Sequence, residues 1–188
     1  MPNPIRVFRI TTDVDRFQYF LTENRGDEEL LEMDGTPGAE KWSPPPVFIY
    51  MPKHEPGDFF NFGGGILISS PMATEALRYH LQMAGELLPL PYAGETYTLL
   101  NVTECIECLD QERTKWQIGR TTGKRVGIRR YSFYPDRFSE SDIFKIPHTS
   151  KAEILYVEGL KDQEDSFRYA VEAAGLRGLR FEEVWSQS

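Results

Sequence analysis

The chain contains 188 residues, of which 40% are hydrophobic and 13% aromatic, and this composition suits a globular domain and excludes a disordered chain. With 29 acidic and 21 basic residues the net charge is −8, which argues against general nucleic-acid binding, because such binding needs lysine and arginine to neutralise phosphates. No stretch approaches the roughly 18 apolar residues that span a bilayer, and no leader-like segment opens the chain, so we expect a soluble, cytoplasmic protein.

In the first third of the chain, short apolar segments alternate with polar loops. Strands are predicted at residues 5–10 and 47–51, and further short apolar segments lie at residues 17–21 and 59–62. Residues 22–46 are polar, contain glycine and proline, and include the acidic run Asp27-Glu28-Glu29. Because proline lacks the amide donor of a strand ladder, we expect this segment to form a long loop.

A first helix is predicted at about residues 71–84. Ser70 can cap the free amides of its first turn, and Pro71 suits the first helical position. Apolar residues then recur at spacings of three and four, which is typical of a helix with one buried face. Gly85 is expected to end it.

After this helix, a loop that contains Pro89 and Pro91 is expected to lead into a series of strands. Strands are predicted at residues 95–102, 113–119, 126–133, 143–146 and 153–157. The second and third of them should form a hairpin closed around Thr122-Gly123.

The chain ends with a second helix, at about residues 161–174, and a last strand at residues 179–185. Alternation places Leu179, Phe181 and Trp185 on one inward face of this strand. Many short strands with two main helices, without strict strand–helix alternation, indicate an α+β fold with a mostly antiparallel sheet.

Cys105 and Cys108 form a CxxC motif and are the only cysteines in the chain. A structural zinc site needs four ligands, usually as two pairs, and here the second pair is missing and the three histidines are scattered. A redox CxxC needs a helix N-terminus, whereas this one follows a predicted strand and is flanked by carboxylates, which raise a thiol pKa. We therefore expect core or half-buried cysteines.

Other motifs carry no recognisable chemistry. The triple glycine at residues 63–65 lacks the lysine and the following helix of a phosphate-binding loop, and it is interpreted as a bend. His80 lies on the apolar stripe of the first helix and is interpreted as a core or boundary residue. No catalytic residue, cofactor-binding residue or metal ligand is predicted.

The predicted hairpin is strongly basic. Seven basic residues and no acidic one lie between positions 113 and 130: Arg113, Lys115, Arg120, Lys124, Arg125, Arg129 and Arg130. The remaining chain therefore carries 14 basic and 29 acidic residues, a net charge of −15. Alternation places Trp116 with Ile118, and Val126 with Ile128, on one apolar face. Three interpretations stay open: bases that are solvated or paired within the chain, a protein contact, and a nucleic-acid contact.

A longer, ordered set of motifs resembles a known family. The motifs are Ile68-Ser-Ser-Pro-Met, Leu90-Pro-Tyr-Ala-Gly-Glu-Thr-Tyr-Thr-Leu-Leu-Asn-Val, Cys108-Leu-Asp, Ile143-Phe-Lys-Ile-Pro, Ile154-Leu-Tyr-Val and Gly175-Leu-Arg-Gly-Leu-Arg-Phe-Glu-Glu-Val-Trp. In that order they resemble immunity protein family 11, which is found beside polymorphic toxins in bacteria. The match covers roughly residues 66–185.

The resemblance implies a cytoplasmic binding protein without enzymatic activity that neutralises a cognate toxin or secreted effector and protects the producing cell. It brings no catalytic residue and no cofactor. It also suggests a variable part at residues 1–65 that packs on a family core at residues 66–188, within one compact domain. The alternative is a small-molecule-binding domain or an enzyme with a pocket near residues 59–65.

The acidic segment supplies the candidate contact residues for such a toxin. They are Glu28, Glu29, Glu32 and Asp34, with Trp42 as a possible aromatic anchor. Complementary charge and aromatic anchors are typical of protein interfaces, so a basic toxin is the expected partner, with no nucleic acid and no membrane. A merely solvated acidic loop is the alternative.

Overall fold

The computed structural model describes residues 4–24, 26–27, 33–62 and 65–187. Within these ranges the elements are β1 (Arg6–Thr12), β2 (Tyr19–Thr22), β3 (Val47–Tyr50), β4 (Phe59–Asn61), β5 (Leu67–Ser69), α1 (Pro71–Ala76), α2 (Arg78–Ala84), β6 (Gly85–Tyr92), β7 (Glu95–Val102), β8 (Lys115–Ile118), β9 (Arg125–Arg130), β10 (Ile143–Phe144), β11 (Ile154–Glu158), α3 (Phe167–Ala173) and β12 (Leu179–Ser186). Antiparallel sheets of short strands with few helices confirm the α+β class.

The first sheet has the strand order β10-β11-β1-β12, and all its pairings are antiparallel. The N-terminal strand β1 therefore lies inside the sheet, between two strands from the last third of the chain. Its side chains alternate between the two faces: Phe8 and Ile10 pack on one face, and Val7 on the other. Both faces of this sheet are covered by protein.

The second sheet has the order β4-β5-β7-β6 and is also antiparallel. Its edge strand β6 lies where the sequence predicted a loop, so that prediction was wrong. Pro89 and Pro91 are two residues apart, so their missing donors fall on the same side of the strand. On an edge strand that side faces away from β7, and no ladder hydrogen bond is lost.

The predicted helix at residues 71–84 is divided into α1 and α2 at Leu77, which has φ −110° and ψ 9°. Its start is as expected, because the Ser70 side chain accepts a hydrogen bond from the Ala73 amide and Pro71 is the first residue. Leu77 and Leu81 are fully buried, and Met72 is exposed.

The predicted helix at residues 161–174 is shorter in the structure. The α-helix α3 begins after Ser166, whose hydroxyl accepts from the Tyr169 amide, and a 3-10 turn, Gln163–Asp165, precedes it. After Ala174, Gly175 takes a positive φ of 66° and ends the helix.

The core between the two sheets contains the buried faces of all three described helices. Phe8 and Tyr156 from the first sheet, Phe59 and Leu100 from the second, and Phe167 from α3 belong to this one cluster. The outer face of the first sheet packs on residues 108–109 and 131–133. The outer face of the second sheet packs on the paired strands β2 and β3 through Phe20 and Val47.

Trp185 does not share a face with Leu179 and Phe181, so that prediction was wrong. The register shifts between Val7 and Phe8, because Val7 pairs with Trp185 whereas Phe8 pairs with Glu183. This bulge turns the end of β12, so that Trp185 packs in the outer cluster and Phe181 in the central core. None of the described helices is long and apolar enough to cross a membrane.

Candidate interaction surfaces

The predicted contact residues fall in two places. Glu28, Glu29 and Glu32 lie outside the described residues. Asp34 is exposed; its carboxylate accepts hydrogen bonds from the hydroxyl and the amide of Thr36, and these hydrogen bonds hold the pKa of Asp34 below its ordinary value. Trp42 is partly buried, packs on the outer face of the second sheet, and donates its indole N–H to the Pro89 carbonyl at 2.8 Å.

The chain just after the acidic run is fastened to the core by three buried or half-buried polar side chains. Lys145 donates from Nζ to the Met33 carbonyl at 2.9 Å, and Asn101 donates from Nδ2 to the Thr36 carbonyl at 2.9 Å. Glu86 accepts from the Gly38 amide at 2.7 Å, and this bond is the main cause that lowers the pKa of Glu86. A segment interpreted as a loop therefore has a defined path over β6 and β7.

Lys145 is the unusual member of this group, because its side chain is fully buried. Burial lowers the pKa of its ammonium group from 10.5 to about 8, since the charged form loses its hydration. Its neighbours include the Cys105 thiol, the Asp34 carboxylate and the Lys151 ammonium group. Nothing in the sequence pattern indicates this burial, because a lysine in a predicted strand usually faces solvent.

The buried lysine predicts an alkaline rise in stability. The folded pKa, about 8, lies below the ordinary 10.5, so the unfolded chain binds more protons between these values. The penalty of burying the charge is present in full below about pH 8 and is relieved as the pH rises toward 10.5. Over that window, wild type should gain about 3 kcal/mol in free energy of unfolding relative to Lys145→Met. Urea denaturation at stepwise pH measures this difference.

Lys53→Met is the matched control, because Lys53 is an exposed lysine in a turn. Its free energy of unfolding should stay within about 0.5 kcal/mol of that of wild type. A difference between wild type and Lys145→Met that does not change with pH would show that Lys145 does not titrate with a lowered pKa.

The two cysteines are buried or half-buried, as the sequence predicted. Cys108 is fully buried, Cys105 is partly buried, and both are free thiols. Burial raises the pKa of Cys105 and brings that of Cys108 to about 12, so neither thiol is a ready nucleophile at neutral pH. Among the residues that the structure describes, no group of three or more His, Cys, Asp or Glu side chains is placed to hold a metal ion.

His80 is a boundary residue, as interpreted, and its partner is a buried carboxylate that the sequence analysis missed. Its Nδ1 lies 3.2 Å from Oδ2 of Asp142. Lys161 Nζ lies 2.8 Å from the other carboxylate oxygen, and the Phe167 amide donates to Asp142 at 2.9 Å. Burial by itself raises the pKa of Asp142, but the hydrogen bonds from His80 and Lys161 outweigh it and hold the pKa below its ordinary value. Asp142 thereby joins α2, α3 and the strand β10.

A cavity of about 270 Å³ lies near the triple glycine, where the alternative interpretation placed a pocket. Asn61, Gly65 and Ile66 line one side, and Arg9 lines the other. The Arg9 guanidinium forms an ion pair with Glu153, 2.7 Å away, and also contacts Glu182 and the Tyr131 hydroxyl. Its donors are therefore already used by groups of the protein.

The basic hairpin, residues 113–130, forms as predicted, with β8 antiparallel to β9. Trp116 lies opposite Ile128, and both pack on the outer face of the first sheet. The prediction of one continuous apolar face was wrong near the turn of the hairpin, because register shifts place Ile118 opposite Arg125. Ile118 is 52% and Val126 59% exposed.

The described structure is that of an α+β protein in which residues 33–39 are hydrogen-bonded to the core and a basic hairpin packs on the first sheet. The profile of the immunity protein family (Imm11) matches residues 91–186, about half of the chain. The chain belongs to this immunity protein family, which confirms the resemblance seen in its motifs. No curated protein matches the chain.

Proposed function

We propose that this protein is an immunity protein that binds a cognate bacterial polymorphic toxin or secreted effector in the cytoplasm and neutralises it there. The observation that carries the proposal is membership of the immunity protein family over residues 91–186. The protective step is binding, and proteins of this family are in general not enzymes. We further propose that residues 1–65 and 66–188 form one domain, since β1 pairs with β11 and β12.

The raised thiol pKa values and the internal hydrogen bonds of the buried polar side chains support binding over catalysis. Cys108 is protonated at neutral pH, and Asp142 is occupied by three partners. The acidic residues Glu28, Glu29 and Glu32 stay proposed contacts to basic groups of the toxin. Trp42 would contribute through the ring face that its packing leaves accessible.

The test is binding and protection with the protein encoded beside this gene. We expect co-purification of the two full-length chains and survival of cells that express both. As the matched comparison, Glu28, Glu29 and Glu32 are changed together to lysine, while Glu164, Asp165 and Glu172, exposed acids around α3, are changed in a second variant. Loss of binding only in the first variant supports the acidic segment. A wild-type protein that neither binds nor protects would contradict the proposed function.

A further inference from the structure

We infer that the basic hairpin and the groove at its base are a docking surface for an acidic region of a partner protein. The identification of that partner as a toxin rests on the proposed function. Unpaired positive charge, exposed apolar side chains and an adjoining groove define this surface.

The arginines of the hairpin differ from the arginines elsewhere in the described structure in having few ion-pair partners. Outside the hairpin, seven of the eight described arginines form an ion pair with a carboxylate: Arg6, Arg9, Arg16, Arg78, Arg168, Arg177 and Arg180. Within the hairpin, the described structure gives no side-chain hydrogen bond or ion pair to Lys115, Arg120, Lys124, Arg129 and Arg130. Acids outnumber bases in the chain, 29 to 21, so composition does not explain this unpaired positive charge.

The same surface also exposes apolar side chains. Val126, 59% exposed, and Ile118, 52% exposed, lie at the far end of the hairpin. Apolar side chains ringed by charged ones are the usual composition of a protein contact site, because burying them against a partner removes their area from water.

A groove of about 620 Å³ lies at the base of the hairpin, against the end of β12. Arg113 and Arg130 line it together with the aromatic rings of Phe133 and Trp185. Arg113 approaches a carboxylate, that of Asp110, only at 3.7 Å and remains 84% exposed. Guanidinium groups beside aromatic rings suit an acidic segment with an apolar anchor, since arginine binds carboxylates and aromatic residues supply affinity.

Two features favour an acidic protein over a nucleic acid. Single-stranded nucleic acid needs exposed aromatic rings on which bases stack, but Trp116 packs inward and its ring is covered by the Arg125 guanidinium at 4.2 Å. The rest of the chain carries a net charge of −15, which repels a long phosphate backbone but tolerates a local acidic patch on a folded partner.

Fluorescently labelled poly-L-glutamate and single-stranded oligodeoxythymidine serve as probes at low ionic strength. We expect the wild-type chain to bind poly-L-glutamate in preference, and Arg129→Glu with Arg130→Glu to weaken that binding about tenfold or more. Arg129→Gln with Arg130→Gln should weaken it less, and thermal melting should show both variants folded. Preference for oligodeoxythymidine would overturn the inference in favour of nucleic acid.

Matched single substitutions show whether poly-L-glutamate binds at the hairpin or responds only to the net charge of the protein. Arg120→Glu and Lys53→Glu each reverse one exposed cation in a turn, but only the first lies on the hairpin. Val126→Ser and Met72→Ser each remove an apolar side chain of similar exposure, 59% and 61%. We expect only the hairpin variants to weaken binding. Equal losses from Lys53→Glu or Met72→Ser would overturn the assignment of the surface.

The neighbouring toxin provides the second arm of the test. If it binds wild type, the Arg129→Glu with Arg130→Glu variant should raise Kd about tenfold and flatten its salt dependence. An unchanged Kd would overturn the hairpin surface and leave the proposed function standing. If the toxin does not bind while selective poly-L-glutamate binding holds, the proposed function fails and the acidic-partner surface stands.

Discussion

Replacing Asp142 with alanine is expected to lower the free energy of unfolding by about 3–5 kcal/mol, since it strands the partners of a buried carboxylate. The side chain is 5% exposed and holds three groups: His80 on α2, Lys161 after β11, and the Phe167 amide at the start of α3. Urea denaturation at neutral pH measures the loss.

Asp136→Ala is the control, because Asp136 is exposed, and its expected change is within about 0.5 kcal/mol. The pH dependence adds a second check. Because the folded pKa of Asp142 is lowered, its contribution is present above the ordinary value of 3.8 and is lost as the pH falls through the folded pKa. The gap between wild type and Asp142→Ala should therefore narrow in acid. A gap that widens in acid, or a loss no larger than that of Asp136→Ala, would refute the role given to Asp142.

Replacing Gly85 with alanine is expected to destabilise the protein by about 3 kcal/mol or shift the backbone where α2 passes into β6. A Cβ atom at Gly85 would lie 1.9 Å from the Asn101 carbonyl oxygen and 2.7 Å from the Thr103 amide nitrogen. Both atoms belong to backbone that is fixed by pairing with β6 and by a hydrogen bond from Thr103 to Ala84. The obstacle is contact with a neighbouring strand, since the φ of Gly85, 166°, is ordinary extended backbone.

Gly127→Ala is the matched control within a strand. A Cβ atom there would meet only the end of the Gln117 side chain, at 3.5 Å. Its expected effect is neutral or slightly stabilising, because alanine reduces the freedom of the unfolded chain. Thermal melting of both variants compares them directly. Equal melting temperatures would show that the chain near Gly85 can move aside at little cost.

The sequence predicted best those features that depend on neighbours along the chain. The Ser70 cap, the first position of Pro71 and the stop at Gly175 each act within a single turn of helix. The missing ligands and the flanking acids argued against a metal or redox role and left core or half-buried cysteines as the expectation, and Cys108 is buried. For these features the physical cause lies within a few residues of the effect.

The strand β6 was missed because two of its local signals point elsewhere. Pro89 and Pro91 usually interrupt a strand, and only their place on a sheet edge makes them compatible with one. The turn that joins β6 to β7 consists of Ala93 and Gly94, with φ values of 50° and 85°. Positive φ at both positions is typical of Asn-Gly turns, and alanine hides that signature.

The remaining features depend on partners far apart in sequence. Asp142 has its partners at positions 80, 161 and 167, and Lys145 bonds to Met33. The bulge near Val184 becomes visible only when β12 is aligned with β1. The proposed contacts at Glu28, Glu29 and Glu32 stay predictions, since these residues lie outside the described ranges.

The prolines of β6 also bear on how copies of this protein behave at high concentration. An open sheet edge can recruit a strand from another molecule through its free amides and carbonyls, which is a common first step of aggregation. Here two successive outward amides are absent, and the Pro89 carbonyl is already occupied by the Trp42 indole. This flank of the second sheet is therefore a poor template for a growing β-assembly, and we expect copies of the protein not to associate through that edge at high concentration.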